Sequence, residues 1–396
     1  MLIEKCISLP RNKKSRNTRK YARSGKAQLA ANIVLGIIIL ALLAFAFMQY
    51  STISGQANSI KGLEIQIKSM NSTISALRAN STGTPLTETK LTLYNLSNQQ
   101  MPQPPLSLSA YPVVTQQQPF GKRLTNINSP LNSTELAVIN DAPSSYFETA
   151  GEMLLNGSLD NYVGVGSGLQ NVSLFTVNGK PSVIYLGSIT CIFCGENRWA
   201  MALALSRFGK FNYLFKGYSS FGDGDLPTLY WRPMTYSNAS GAMDIGNFYN
   251  SSLINFITLE DTNPITDGFN LQSLGQMQSE LQQINNTPYI DAFNHILQIN
   301  TFSGTPYTIW GKYVIGGADA VDFGNTTPSS TPFPLTNMTH AQVLSQLANP
   351  SDQFAWTEYA GADVYIATMC ASLNNSAQAC SLPAIRGIES KIGATP

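Results

Sequence analysis

Charge is scarce in this chain. Only 12% of its 396 residues are Asp, Glu, Lys or Arg, the formal net charge is +1, and there are 2 histidines and 5 cysteines. Two histidines leave little for imidazole acid–base catalysis or a histidine-rich metal cage. No Gly-rich phosphate loop and no nucleophile elbow occurs, which argues against P-loop nucleotide chemistry and α/β-hydrolase chemistry. A structural zinc site wants four Cys or His ligands, so cysteines far apart in the chain would have to meet. No metal and no cofactor is expected.

The few charges are unevenly placed. Residues 1–26 hold nine Lys or Arg against Glu4 alone, which leaves fifteen basic and twenty-two acidic residues in the remainder. A basic arm for nucleic acid is one reading. The run that follows, LAANIVLGIIILALLAFAFM over residues 29–48, is uncharged, and twenty helical residues span roughly a 30 Å hydrocarbon core. That length exceeds a secretory signal's apolar core, and a long basic tail precedes it, so a retained transmembrane helix is expected after a basic cytoplasmic tail, residues 1–28. The positive-inside rule then puts the N-terminus, with Cys6, in the cytoplasm and everything after Gln49 outside. The localisation expected is a cell membrane crossed once, with the globular part extracytoplasmic and no basic patch left there for nucleic acid.

Twelve Asn-x-Ser/Thr sequons, at Asn71, Asn80, Asn95, Asn132, Asn156, Asn171, Asn238, Asn250, Asn285, Asn325, Asn337 and Asn374, all follow the membrane segment. Their number favours a glycosylated surface. Ile53, Ile60, Ile67 and Ile74 recur every seven residues with Leu63, Met70 and Leu77 between them, so residues 52–79 read as a coiled-coil stalk that would make a homodimer. A lone amphipathic stalk helix is the alternative. Residues 80–125, rich in Pro, Gln, Ser and Thr, read as a spacer. Residues 126–396 are long enough for one elaborated domain.

Within that domain Ser173–Val177 reads as a strand, Asn178-Gly179 as a turn, and Ser182–Gly187 (SVIYLG) as a strand buried in a sheet. Cys191-Ile192-Phe193-Cys194 follows, then a helix from about Gly195 to Phe208 with apolar residues on two faces. Strands are expected at Phe211–Tyr218, Thr228–Trp231 and Leu253–Glu260, and a helical insert at about 262–300. Thr305-Pro306 leads into a hairpin, Tyr307–Trp310 and Tyr313–Gly316, and a helix lies around Ala341–Ala348. The class is α/β, and this order is the thioredoxin ground plan with a helical insert and C-terminal helices. A cysteine at a helix N-terminus meets unpaired N–H groups and the positive end of the helix dipole, which favour its thiolate. Cys191 is that residue, Cys194 lies one turn in, and in the plan Pro306 would be cis with Thr305 beside the sulfurs.

Arg198-Trp199-Ala200, Leu205-Ser206-Arg207-Phe208-Gly209, Gly304-Thr305-Pro306, Gly311-Lys312-Tyr313, Leu347-Ala348-Asn349-Pro350-Ser351 and the late pair Cys370 and Cys380 resemble an uncharacterised thioredoxin-like family. It is catalogued as domain of unknown function 929 and known from archaea and actinobacteria. The resemblance implies fold and domain identity without a substrate, and spans most of Val172 to Ile385. Relatives carry Pro-Tyr between the cysteines where this chain has Ile192-Phe193. Two apolar residues add no positive charge there, so a pair less oxidising than a periplasmic oxidase is expected.

Outside the cytoplasm, Cys370 and Cys380 are most simply a structural disulfide, and a loop this short stabilises by roughly 2 to 3 kcal/mol. A second redox pair exchanging with the first is the alternative. His295 and His340 read as solvent-facing or capping residues, and Glu196 with Arg198 as a helix-surface pair. Two functions fit. One is a thiol-disulfide oxidoreductase acting on protein thiols or disulfides, in which Cys191 attacks, Cys194 resolves and Thr305-Pro306 positions the peptide. The other is a redox-inactive cell-surface structural or binding protein with a permanently bridged head.

Overall fold

The computed structural model describes residues 95–96, 114–117, 123–159, 163, 169–189, 191–219, 226–233, 243–261, 271–299, 305–316, 335 and 338–396. All belong to one unit, Leu91–Pro396. The expected basic tail, transmembrane segment and stalk lie outside the described residues. No helix among the described residues is long and apolar enough to cross a membrane.

In chain order the unit opens with β1 (Asn95–Leu96), β2 (Val114–Gln117), β3 (Arg123–Ile127), α1 (Ser133–Asn140) and α2 (Ser144–Leu155). Strands β4 (Gln170–Asn171), β5 (Thr176–Val177) and β6 (Lys180–Ser188) lead into α3 (Ile192–Leu205). Then come β7 (Lys210–Phe211), β8 (Phe215–Ser219), β9 (Leu226–Tyr230), β10 (Met243–Ile245), β11 (Tyr249–Asn250) and β12 (Asn255–Asp261). Helices α4 (Leu271–Ile284) and α5 (Thr287–Ile299) form the insert. The hairpin β13 (Tyr307–Trp310) and β14 (Tyr313–Gly316) precedes α6 (His340–Ala348), α7 (Gln353–Ser372), a 3-10 turn at Gln378–Ser381 and α8 (Pro383–Lys391).

The class is α/β, as expected, and β6 is the middle of it. Parallel β12 lies on one side, register Asn255↔Ser182 through Asp261↔Ser188. Antiparallel β13 lies on the other, Tyr307↔Leu186 through Trp310↔Val183, and β14 pairs onward with β13. The central order is therefore β12-β6-β13-β14, with β10 outside β12 and β4 outside β14. Alternate residues of β6 serve opposite faces, as strand geometry requires. Val183 and Tyr185 join α3 and α7 in one core, whereas Ile184 and Leu186 join Leu274, Met277, Leu281, Phe293 and Ile296 of the insert in another. A strand covered on both faces has to be apolar throughout, which is why SVIYLG does not alternate.

Most of α7 is buried, and its run of Ala355, Ala360, Gly361, Ala362, Ala367 and Ala371 lets α2, α3 and α8 pack against it. Two carboxyls are buried there as well. Glu358 and Asp363 are fully inaccessible, and among the described residues neither Asp363 oxygen has a hydrogen-bond partner. Burial raises both well above the ordinary carboxyl range. Glu148 adds to this at Asp363, while Arg207 there and the Ala200 backbone at Glu358 offset burial only in part.

Several expected boundaries move. The helix after the cysteines begins at Ile192 rather than Gly195. The expected strand Phe211–Tyr218 is two strands, because Lys210–Phe211 pairs with Tyr249–Asn250 while Phe215–Ser219 pairs with Leu226–Tyr230. Its apolar pattern continues through a change of partner that only tertiary structure reveals. Helices α1 and α2 were not expected. Of the expected spacer, residues 80–125, β1 pairs with β5 of the sheet, and β2 pairs with β3, which runs on to Ile127.

Candidate functional site

Strand β6 ends at Ser188, and the chain turns at once into α3, with Cys191 as the N-cap. Its backbone is extended (φ −76, ψ 120) and its Sγ accepts the Cys194 N–H at 3.2 Å. A sulfur here does what a Ser or Asp oxygen does at other helix starts, so an anionic form is favoured by an otherwise unpaired donor and by the dipole. The Cys191 Sγ–H also donates to the Thr305 carbonyl, at 3.3 Å across the gap to β13, and the Thr305–Pro306 bond is cis. Cys191, Cys194, Thr305 and Pro306, separated by more than a hundred residues, are thus brought to one end of the sheet.

The two cysteines differ in exposure and in proton affinity. Cys191 is half-buried and Cys194 fully buried, and both are unbridged. The Cys194 thiol beside it lowers Cys191 to about 7. Burial works against this, and the Thr305 side chain, the Cys194 N–H and the Arg198 charge help. Burial drives Cys194 well above the ordinary thiol value, and its position against Cys191 drives it further. Near neutrality Cys191 is therefore the partly ionised sulfur and Cys194 the protonated one. Phe193, at 37% relative exposure, stands next to Cys191 at the surface, while Ile192 leans on the core.

Helix α3 is held on every side. Trp199 Nε1 donates to Pro227 O at 3.0 Å, Asn197 Oδ1 accepts from Tyr365 Oη at 2.9 Å, and Thr228 Oγ1 donates to Gly195 O at 2.6 Å. Gly195 lies so close to β8 that a Cβ there would run into the Ser219 side chain. Arg198 corrects the sequence reading. Both Glu196 and Arg198 are fully buried, not on the surface, and the partner of Arg198 is Glu260 on β12. Burial pushes Glu260 up to about 7, against the pull of Arg198.

The histidines need correction too. His340 is buried beneath the Tyr218 ring with Nε2 2.8 Å from Gly217 O and 3.0 Å from Thr228 O, and Thr339 is the cap of α6. His295 is buried in the insert, its ring centroid 5.6 Å from that of Phe175. Burial lowers each to about 4, with backbone contacts opposing.

Cys370 and Cys380 are bridged, their Cα atoms 5.5 Å apart, and the bond ties α7 to the 3-10 turn before α8. Two residues on, Ser372 Oγ accepts the Lys312 N–H at the β13–β14 turn. That turn adjoins Ser182 through the Gly311 N–H, far along β6 from Cys191, so the two cysteine pairs lie toward opposite ends of the sheet. Among the described residues there is no group of three or more His, Cys, Asp or Glu that could hold a metal ion.

Of the sequon asparagines, Asn132, Asn156, Asn171, Asn250, Asn285 and Asn374 are all exposed. The buried asparagines Asn128, Asn140, Asn197, Asn247 and Asn255 are outside sequons. Asn95 is described through its backbone alone, and Asn71, Asn80, Asn238, Asn325 and Asn337 lie outside the described residues. No sequence signal singled out Glu260, an acidic residue at the end of an apolar strand.

No curated protein and no solved structure matches the chain. The model of one family, described as Domain of unknown function (DUF929), matches residues 170–371, from β4 through the cysteine helix to the end of α7, which is 202 of 396 residues. The chain belongs to that family.

Proposed function

We propose that the protein is a thiol-disulfide oxidoreductase on a thioredoxin-like scaffold, anchored by residues 29–48 with its globular part outside the membrane. The observation that carries the reading is Cys191 Sγ at the start of α3, between the Cys194 N–H and the Thr305 carbonyl, with its titration brought down to about 7. The β12-β6-β13-β14 order supports the scaffold: in the thioredoxin plan the cysteine-bearing strand lies between a parallel neighbour and an antiparallel one that starts at the Pro.

The chemistry follows from the asymmetry of the pair. The Cys191 thiolate attacks one sulfur of a substrate disulfide, and the other sulfur leaves as thiolate. Cys194 then gives up its proton and attacks Cys191, and the second substrate sulfur departs with its electron pair. Substrate is reduced by two electrons and the Cys191–Cys194 bridge forms. A Cys191 near 7, rather than the roughly 3.5 of a strongly oxidising pair, favours a moderately reducing potential. Exposed Phe193 offers an apolar contact to the polypeptide next to the reacting disulfide.

The extracytoplasmic setting is supported by the basic flank of residues 29–48 and by the exposure of the sequon asparagines. Three of these gather away from Cys191: Asn171 pairs with Tyr313 beside the hairpin turn, Asn250 pairs with Lys210 past the C-terminal end of α3, and Asn374 follows the end of α7. Glycans there would leave the cysteine end clear.

Catalysis tests the reading. The pre-reduced protein is expected to cleave a fluorophore-quencher peptide disulfide with turnover in glutathione, and Cys191→Ser to abolish it. Equal rates for wild type and Cys191→Ser would refute the assignment.

A further inference from the structure

We propose that Arg198 and Glu260 form a buried charge pair that tunes the reactivity of Cys191 from beneath, Arg198 favouring the thiolate and Glu260 competing with it for the same cation. The inference rests on the oxidoreductase reading for its use, but its geometry stands by itself. Arg198 lies one turn beyond Cys194 on α3, so both project from the same side of the helix. Its Nη2 donates to Ser188 O at 3.0 Å, and that same carbonyl accepts the Cys191 N–H at 3.3 Å. One carbonyl oxygen therefore joins the guanidinium to the backbone of the reacting cysteine. The same nitrogen pairs with Glu260 Oε1, which the Tyr185 hydroxyl approaches at 3.4 Å. Glu260 is brought there by the register of β12, opposite Gly187 and next to Asp261, itself opposite Ser188.

The surroundings leave the charges little screening. Tyr185 of β6 and Tyr230 of β9 lie with ring centroids 5.8 and 5.9 Å from Arg198 Cζ, and both partners are inaccessible to solvent. Among the described residues Arg198 Nε and Nη1 and Glu260 Oε2 have no hydrogen-bond partner. A buried ion pair so incompletely satisfied is a poor way to stabilise a fold, because its desolvation offsets its attraction. It is an effective way to act on a neighbouring sulfur. The electrostatics run in the direction the geometry requires: Arg198 is among the influences that lower Cys191, and Cys191 is among those that raise Glu260. Two anions, thiolate and carboxylate, share one cation.

The coupling to redox state is balanced as follows. Reduction of the Cys191–Cys194 bridge takes two electrons from two glutathione thiols, which leave as glutathione disulfide after releasing two protons. One proton comes to rest on Cys194 and the other goes to solvent while Cys191 remains a thiolate, so reduction adds a negative charge beside the pair. Arg198 favours that charge and ionised Glu260 opposes it. Both are positioning residues that act through the field, not by contact with substrate.

Opposite shifts test the proposal. The readout is the pH dependence of iodoacetamide labelling at Cys191, resolved by mass spectrometry, in the reduced full-length protein. Glu260→Gln is expected to move the inflection down by about one pH unit and Arg198→Gln up by about one, with Arg198→Lys restoring most of the loss. The equilibrium constant with glutathione moves about tenfold in the matching directions, roughly 30 mV for a two-electron couple. Should Arg198→Gln fail to fold, the Arg198→Met/Glu260→Leu double variant removes both charges without stranding either, and its inflection falls above that of Glu260→Gln. Folded variants that shift together, or not at all, overturn the proposal. If the shifts appear but the wild type does not turn over a peptide disulfide, the oxidoreductase reading fails and the charge pair stands. Turnover without shifts is the reverse.

Discussion

A Cys194→Ser variant is expected to accumulate mixed disulfides through Cys191, and Cys191→Ser to accumulate none. Cys191 is the more accessible, partly ionised sulfur, so in the proposed reaction it forms the first bond to substrate. Cys194 is buried one turn into α3 with its amide on Cys191 Sγ, which leaves it well placed to break that bond. An intramolecular thiol at this distance acts at an effective concentration far above that of free thiols in solution, so its loss slows release by at least about a hundredfold. Non-reducing electrophoresis with mass spectrometry of the adducts reads this directly. An absence of adducts in the Cys194→Ser variant would contradict the account. Serine at 194 is close to cysteine in size and leaves the Cys194 backbone N–H in place, so the helix start should survive.

The second large effect is on stability. Glu358 and Asp363 are held in the interior with raised proton affinity, so the folded protein keeps protons that the unfolded chain releases above its ordinary carboxyl values of 4.5 and 3.8. The folded-state value lies above the unfolded one, and stability is therefore fully present below the ordinary carboxyl range and lost as pH rises toward the folded-state value. The slope is about 1.4 kcal/mol per pH unit for each carboxyl held protonated. His295 and His340, lowered to about 4, act in the other sense and cost stability as pH falls below about 6.5. A wild-type melt alone mixes the two. The difference between wild type and Glu358→Gln/Asp363→Asn isolates the acids: near-equal midpoints at pH 4, and a variant increasingly more stable than wild type from pH 5 to 8. Parallel curves would mean that the carboxyls ionise within the fold at no cost.

Where the sequence speaks locally, it is legible. The hairpin Tyr307–Trp310 and Tyr313–Gly316 has the ends its pattern implies, because the Gly311-Lys312 turn and the β-branched and aromatic residues point the same way, and Gly311 takes the positive φ of 62° that favours glycine. The position of Cys191 after a buried strand and at a helix start was readable for the same reason. The place of Arg198 is not legible in the sequence, because an Arg two residues from a Glu on a helix ordinarily faces water, and only the pairing of β6 with β12 brings Glu260, 62 residues away, beneath it. Helix α1 carries a local start signal. Asn132 and Glu135 form a capping box, each side chain bonded to the other's backbone N–H, but the same Asn-Ser-Thr triplet also reads as a sequon. A histidine at a helix start looks like a cap until Thr339 takes that role and His340 turns inward.

The central claim is that one cysteine pair works while the other only braces α7, and graded reduction distinguishes them. The native protein is treated with mild reductant, alkylated, and mapped by mass spectrometry. Label at Cys191 and Cys194, with Cys370 and Cys380 still bridged until the chain is denatured, is the predicted result. A Cys191–Cys194 bridge that resists reductant as long as Cys370–Cys380 does would contradict the account.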